Sequence, residues 1–249
     1  MTYSIVARDP RTGEVGIAVA SRFFACGAMV PHVGPTAAMA SQAFVNPLWG
    51  IEGLQRLTAG ENPQAILDDL VARDGGQQIR QAHMIGPDGR IAQHTGAGCV
   101  PWAGHAQAPN VSVAGNMLAG SAVVQDTLAA FVAAEDQPLA QRLLTAMEAG
   151  ERAGGDKRGR QAAGLRVHAG QPYAALDLRV DDHADPLAEL RRLMDVAEER
   201  YTIFRTAMPT VENFSGMVDR RPLDEAIAKS EADRAARGIA SRSFATTTD

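Results

Sequence analysis

Tight turns join the apparent strands of this chain into hairpins, and that constrains the fold more than any other feature of the sequence. Asp9-Pro10-Arg11-Thr12-Gly13 separates strand-like residues 3–8 from residues 14–20. Pro presets the early turn position and Gly accepts positive φ, so the chain opens with a hairpin. Gly86-Pro87-Asp88-Gly89 does the same between residues 79–85 and 90–94. Residues 35–43 are small and apolar and read as a buried strand. Two helical patterns follow them. Residues 48–57 end at Gly60, and Asn62 caps a helix that opens on Pro63 with Ile66, Leu67, Leu70 and Val71 as its apolar stripe. Residues 111–114 read as a short buried strand running through Gly115-Asn116-Met117-Leu118-Ala119-Gly120 into a long helix that ends near residue 134. Gln137-Pro138 opens another helix through Arg152, which Gly154-Gly155 breaks. Residues 161–168 and 176–180 are two more strands, and Asp185-Pro186 caps a helix reaching about residue 204.

Hairpins therefore connect the strands, and helices come in pairs between the sheet segments. A doubly wound parallel sheet alternates strand and helix singly, so it is disfavoured. The expected class is α+β: a four-layer αββα sandwich of two mostly antiparallel sheets with helix pairs outside. That domain is expected over residues 1–208. Residues 209–249 change character. Residues 212–216 are loop-like, residues 221–237 form a polar helix, and residues 241–249 are expected to fray.

The chain has 249 residues, enough for a large single core. Hydrophobic residues make up 45% and charged residues 21%, which excludes disordered, collagenous and coiled-coil classes. A net charge of −5 speaks against a partner bound through its phosphate backbone. No apolar run reaches the roughly 20 residues needed to span a bilayer. The first residues lack a basic region followed by an apolar stretch, so a cytoplasmic protein with no signal peptide or membrane partner is expected. Cys26 and Cys99 allow at most one disulfide.

A sandwich whose first residues form a strand suggests one chemistry. In N-terminal nucleophile (Ntn) hydrolases the side chain of the first mature residue attacks an amide carbonyl and its own α-amine is the base. An α-amine titrates near 7.7–8.0, so much of it is neutral at working pH. Thr2 follows Met1 directly, and Met before a small residue is readily removed. The structural alternative for Thr2 is an edge-strand start without a role.

Tyr3-Ser4-Ile5-Val6-Ala7-Arg8-Asp9 and Val19-Ala20-Ser21-Arg22-Phe23-Phe24 resemble the opening of the domain-of-unknown-function 1028 (DUF1028) family. Gly115-Asn116-Met117-Leu118, Gly154-Gly155-Asp156-Lys157-Arg158-Gly159-Arg160-Gln161 and Asp177-Leu178-Arg179-Val180-Asp181-Asp182-His183 are similar to its other signatures. The resemblance covers about residues 2–195 and implies the Ntn hydrolase-like fold. It supports that fold more strongly than any substrate.

Asn116 lies where a strand is expected to turn into a helix. Helix N-terminal N–H groups and the Asn116 amide suit a developing oxyanion; the alternative is a capped turn. Asp156 resembles, in position, the Asp that orients the N-terminal residue in proteasome-like members of the fold. Lys157, Arg158 and Arg160 are candidates for a substrate carboxylate, Arg through a bidentate pair. Ser21-Arg22 stands where proteasome-like enzymes carry Asp-Ser-Arg, but Ala20 replaces the Asp. Residues 36–43 contain no Lys. These departures count against a proteasome-type peptidase and leave Arg22 as the positive charge. Ser41-Gln42, with Asn46 nearby, offers amide groups at the same strand end.

Asp181-Asp182-His183-Ala184-Asp185 places adjacent carboxylates on opposite faces of an extended chain and lacks a second His at ligand spacing, so no metal is expected. Cys99 has no identifiable paired His. Gly96-Ala97-Gly98 precedes Pro101 rather than a helix, which rejects a dinucleotide fingerprint, and no cofactor is expected. The leading expectation is a homo-oligomeric amidohydrolase, homodimeric or larger. It would act on a small anionic amide or ureido compound, with Thr2, Asn116 and Asp156 catalytic and Arg22, Gln42, Lys157 and Arg160 binding substrate. A peptidase or acylase on the same fold, and a non-catalytic metabolite-binding or assembly subunit, are the alternatives.

Overall fold

The computed structural model describes residues 2–246 and divides into two compact units, Met1–Leu190 and Arg191–Asp249. The first unit holds two antiparallel sheets. Its strands are β1 (Thr2–Arg8), β2 (Val15–Ser21), β3 (Pro31–Val33), β4 (Ala38–Ala43), β5 (Arg80–Ile85), β6 (Ile91–Thr95), β7 (Gly104–Ala108), β8 (Val111–Asn116), β9 (Ala162–His168) and β10 (Leu176–Val180). One sheet has the order β10-β9-β2-β1-β8-β7 and the other β3-β4-β5-β6. The helices of this unit are α1 (Cys26–Met29), α2 (Pro47–Thr58), α3 (Pro63–Arg73), α4 (Ala122–Ala133) and α5 (Leu139–Arg152).

The hairpin expectation holds, and local chemistry explains why. Asp9 Oδ1 accepts from the Arg11 backbone N–H at 2.9 Å, closing the first turn, and Gly13 sits at φ 77°. Asn46 and Asn62 each accept an N–H two residues on, from Leu48 and Gln64, ahead of the Pro residues that open α2 and α3.

Helices α4 and α5 pack on the six-stranded sheet, α2 and α3 on the four-stranded one, and the sheets pack on each other. Strand alternation sorts the side chains. Met39, Ala82 and Met84 join Trp49, Leu57, Ile66 and Leu70 under α2 and α3. Val6, Val15, Ile17, Val19, Ala38, Ala40 and Ile85 fill one region between the sheets. A buried polar network lies beside it, as described below.

Three elements escaped the sequence: α1, β3 and β7. Each is short and is defined by partners distant in the chain, β7 by its pairing with β8 and β3 by its pairing with β4. Helix α6 (Pro186–Arg205) begins as expected, with Asp185 Oδ1 accepting the Ala188 N–H at 3.2 Å. The division between the two compact units falls at residues 190/191, inside this helix.

In the second unit, α7 (Arg221–Ala236) is the expected polar helix. The start of the tail, Ser241 and Arg242, is bonded to α6. Glu199 accepts from Ser241 Oγ at 2.7 Å and from the Arg242 N–H at 2.8 Å, and Asp195 pairs with Arg242 at 3.0 Å. Residues 247–249 lie outside the described residues. Among the described residues, no helix is long and apolar enough to cross a membrane.

Candidate active site

Strand β1 lies inside the six-stranded sheet, with β2 and β8 on either side. Its alternate residues face different layers. Tyr3 points to α5, where its hydroxyl lies 3.0 Å from both Met147 O and Glu151 Oε2 and shares its one proton between these two acceptors. Ser4 points between the sheets, and Thr2 shares its face by period. Thr2 is 6% exposed, and its Oγ1 donates to Ser21 Oγ at 3.3 Å. Thr2 and Asn116 are cross-strand partners. Asn116 Nδ2 donates to Thr2 O at 3.4 Å and to Gln81 Oε1 at 3.0 Å.

A buried polar network continues from there. Gln81 Oε1 also accepts from Gln42 Nε2 at 2.9 Å, and Gln81 Nε2 donates to Gly115 O at 2.8 Å. Gln42 Oε1 accepts from Ser4 Oγ at 2.6 Å. Ser4 has then spent its proton, so its oxygen accepts from His83 Nε2 at 2.8 Å. That assigns the proton of His83 to Nε2 and leaves Nδ1 to accept from Ser112 Oγ at 2.8 Å. Burial pushes the His83 pKa down to about 3, with His105 adding to the shift, so the ring is neutral. Ser4, Gln42, Gln81 and His83 are completely buried, and satisfied networks of this kind fix a single arrangement of the core. Here the network fixes the backbone carbonyl of Thr2 through Asn116.

Beside Thr2 lies a cavity of about 300 Å³ lined by Thr2, Phe23, Cys26, Met29, Val30, Ala43, Phe44 and Val45. Helix α1 and the residues after β4 form its walls. Backbone at unusual φ shapes both: Ala25 at 54° precedes α1, and Ala43 at 70° turns the chain at the end of β4. The Arg80 guanidinium carbon lies 5.3 Å from the Phe44 ring centroid, and Arg80 Nε pairs with Asp74 at 3.0 Å. Arg80, Asn46 and the Gly76 N–H outweigh the opposing effect of burial and hold the Asp74 pKa at about 2. Burial raises the Cys26 thiol to about 12, so it is a protonated wall group rather than a thiolate.

The other sequence candidates fall around Thr2 in graded fashion. Asp156 is buried; Oδ2 accepts the Arg22 N–H and Oδ1 the Arg158 N–H, each at 2.8 Å. Asp156 is thus tied to the backbone directly after Ser21, the residue that meets the Thr2 hydroxyl. The Arg22 guanidinium turns outward to Arg158 O at 2.9 Å. Lys157 Nζ donates to Pro101 O at 2.8 Å. Arg160 pairs with Glu151 at 2.6 Å and Asp185 at 3.1 Å. Neither these three basic side chains nor the buried Gln42 lines the cavity.

Gly115 and Asn116 are strand residues, because β8 pairs with β1 on one side and β7 on the other. Helix α4 starts only at Ala122, and the Met117 N–H donates to Val100 O at 2.7 Å. The helix N-terminal donors expected at Asn116 are therefore absent from that position, and its amide holds Thr2 and Gln81 instead.

Sequence reasoning missed Gln81, His83 and the cavity wall as site elements. The period-2 placement of Gln81 and His83 was the available signal, but such a polar stripe reads as a solvent face when no second sheet is assumed. In the Asp181–Asp185 segment, Asp182 accepts from Gln161 at 3.1 Å and His183 Nδ1 accepts the Asp185 N–H at 3.0 Å. Among the described residues, no group of three or more His, Cys, Asp or Glu is arranged to hold a metal ion.

The profile of a family of unknown function, DUF1028, matches residues 2–190. The crystal structure of protein SPO2555 from Silicibacter pomeroyi, described with the same family, is similar to this chain with a TM-score of 0.81 and 31% identity. The match covers 88% of this chain and 96% of that one. No curated protein matches the chain.

Proposed function

The chain belongs to the DUF1028 family, and from that premise we propose that it is an Ntn amidohydrolase, a four-layer αββα sandwich with Thr2 as nucleophile. The observation that carries the reading is the position of Thr2. It starts a strand inside the larger sheet, it is nearly buried, and it forms the wall of a cavity next to a hydroxyl partner, Ser21. The histidine of the buried network, His83, is neutral and committed to Ser4 and Ser112, so the reading assigns the base to the Thr2 α-amine.

The reaction follows from these groups. The Thr2 α-amine, free once Met1 is removed, takes the Oγ1 proton as Oγ1 bonds to the amide carbon. The C–N bond breaks, the leaving nitrogen takes the proton, and the acyl group stays as an ester on Thr2. Water then hydrolyses that ester, assisted by the same amine. Asn116 holds the Thr2 carbonyl, and Asp156 holds the Ser21-Arg22 backbone; both act as positioning residues. Met1 lies outside the described residues, so its removal is part of the proposal. The bond cleaved is the C–N bond of a small linear amide or ureido compound. The engagement of Arg22, Lys157 and Arg160 elsewhere gives an anionic substrate no support.

A panel of linear amides and ureido acids tests the reading. Thr2→Ala should abolish turnover with the fold intact, and Thr2→Ser should keep part of it. A Thr2→Ala protein with the wild-type rate would overturn it.

A further inference from the structure

The cavity beside Thr2 has a chemistry of its own. Apart from Thr2, every lining side chain among the described residues is apolar: Phe23, Cys26, Met29, Val30, Ala43, Phe44 and Val45. The Cys26 thiol is protonated and the Asp181 carboxylate acts on it from nearby, so the described lining side chains carry no charge of their own. The Arg80 guanidinium stacks on Phe44 and is already paired with Asp74. Phe23, Met29 and Phe44 line the cavity yet are largely exposed, Phe44 to 67%. Large apolar groups left in water around a concave opening mark a binding site rather than a core. Cavities of about 150 Å³ with apolar walls take up a benzene ring. At about 300 Å³, this one has room for a larger group.

We infer that this cavity receives the acyl part of the substrate, and that the acyl part is uncharged and apolar: a medium-length aliphatic chain or an arylacetyl group. The inference rests on the Thr2 reading for its orientation, because the hydroxyl in the wall must meet the carbonyl carbon that ends the chain. The leaving nitrogen then points away from Cys26 and Val30. A carboxylate on the acyl chain would lose its water against lining side chains that carry no charge, and the Asp181 carboxylate near Cys26 would repel it. This chemistry differs from the anionic substrate that the basic residues of the sequence suggested.

Two measurements test it. In the first, 4-nitroanilides of acetic, butanoic, hexanoic, phenylacetic and succinic acids are compared by kcat/KM. Each methylene buried in the cavity should raise kcat/KM about fourfold, or about 15-fold from acetyl to butanoyl. The succinyl compound should fall below the acetyl one. Val45→Phe, which narrows the cavity, should remove the preference for hexanoyl over acetyl.

In the second, 4-fluorophenylacetamide is titrated by fluorine NMR into the Thr2→Ala protein, which cannot turn it over. The probe should bind, with succinamate failing to compete. Val45→Phe or, where that protein does not fold, Phe44→Ala in the Thr2→Ala background should weaken binding at least about fivefold. Probe binding without hydrolysis of any anilide would refute the nucleophile and leave the apolar pocket standing. Hydrolysis through Thr2 that favours acetyl or succinyl, or no probe binding, would overturn the inference while sparing the nucleophile. A concentration-dependent dimer that Phe44→Ala dissociates and that excludes the probe would also overturn it, giving this face to a second copy of the chain.

Discussion

His83→Gln should flatten the acid dependence of stability. In the folded protein His83 has its pKa pushed down to about 3, first by burial and then by His105. In the unfolded chain it returns to about 6.5. The folded pKa lies below the unfolded one, so the unfolded state takes up the proton first. The full stability is present above pH 6.5 and is lost as pH falls toward 3. Between pH 7 and pH 5 that single proton costs about 2 kcal/mol, with a limiting slope of about 1.4 kcal/mol per pH unit. Gln cannot titrate, yet its amide can donate toward Ser4 and accept from Ser112, the two partners His83 serves. The variant should be about 1–3 kcal/mol less stable at pH 7, because the replaced bonds are imperfect. The gap should close by about 2 kcal/mol at pH 5. His32, His105 and His168 are shifted in the same direction by burial, but they are common to both proteins and cancel in the comparison. Urea unfolding followed by tryptophan fluorescence measures this, since Trp49 and Trp102 both lie in the first unit. Parallel stability curves from pH 7 to pH 5 would refute the assignment of a neutral, bridging His83.

Two further substitutions probe the scaffold of the site. Gly164→Ala should cost about 1–3 kcal/mol, seen as a lower urea midpoint, because the new Cβ would lie 2.6 Å from Gly27 Cα and backbone cannot yield cheaply; an unchanged midpoint would contradict that contact. Asp156→Asn should lower kcat more than it changes KM and reduce stability by about 1–3 kcal/mol, since an amide cannot accept from both the Arg22 and Arg158 N–H groups. Wild-type kcat in that variant would remove the positioning role of the carboxylate.

Much of the fold was legible because its signals are local. Pro and Gly at fixed turn positions, Asn before Pro at two helix starts and Asp185 before Pro186 each act within a few residues. Strand β7 was not legible, since Gly104–Ala108 is half-exposed, lacks β-branched residues and becomes a strand only by pairing with β8. In the site, Thr2 and Asn116 stood out by residue type and place, and they prove to be cross-strand partners. The charged loop at 154–161 was legible as charged, but its partners were not. Its basic side chains are used by backbone carbonyls and by Glu151 and Asp185, a choice made by tertiary packing. The apolar cavity left no sequence signal, because Phe23, Met29, Phe44 and Val45 converge only when α1 and the end of β4 are brought together.

The most direct test of the central claim is peptide mass mapping of the mature protein after reaction with an activated hexanoyl ester. Cleavage at Arg8 isolates the segment that carries the nucleophile. The proposal predicts a peptide that begins at Thr2, lacks Met1, and carries one hexanoyl group that hydroxylamine removes; Thr2→Ala should not acquire it. An active protein that retains Met1, or an adduct found instead on Cys26 or Cys99, would contradict Thr2 as the attacking residue.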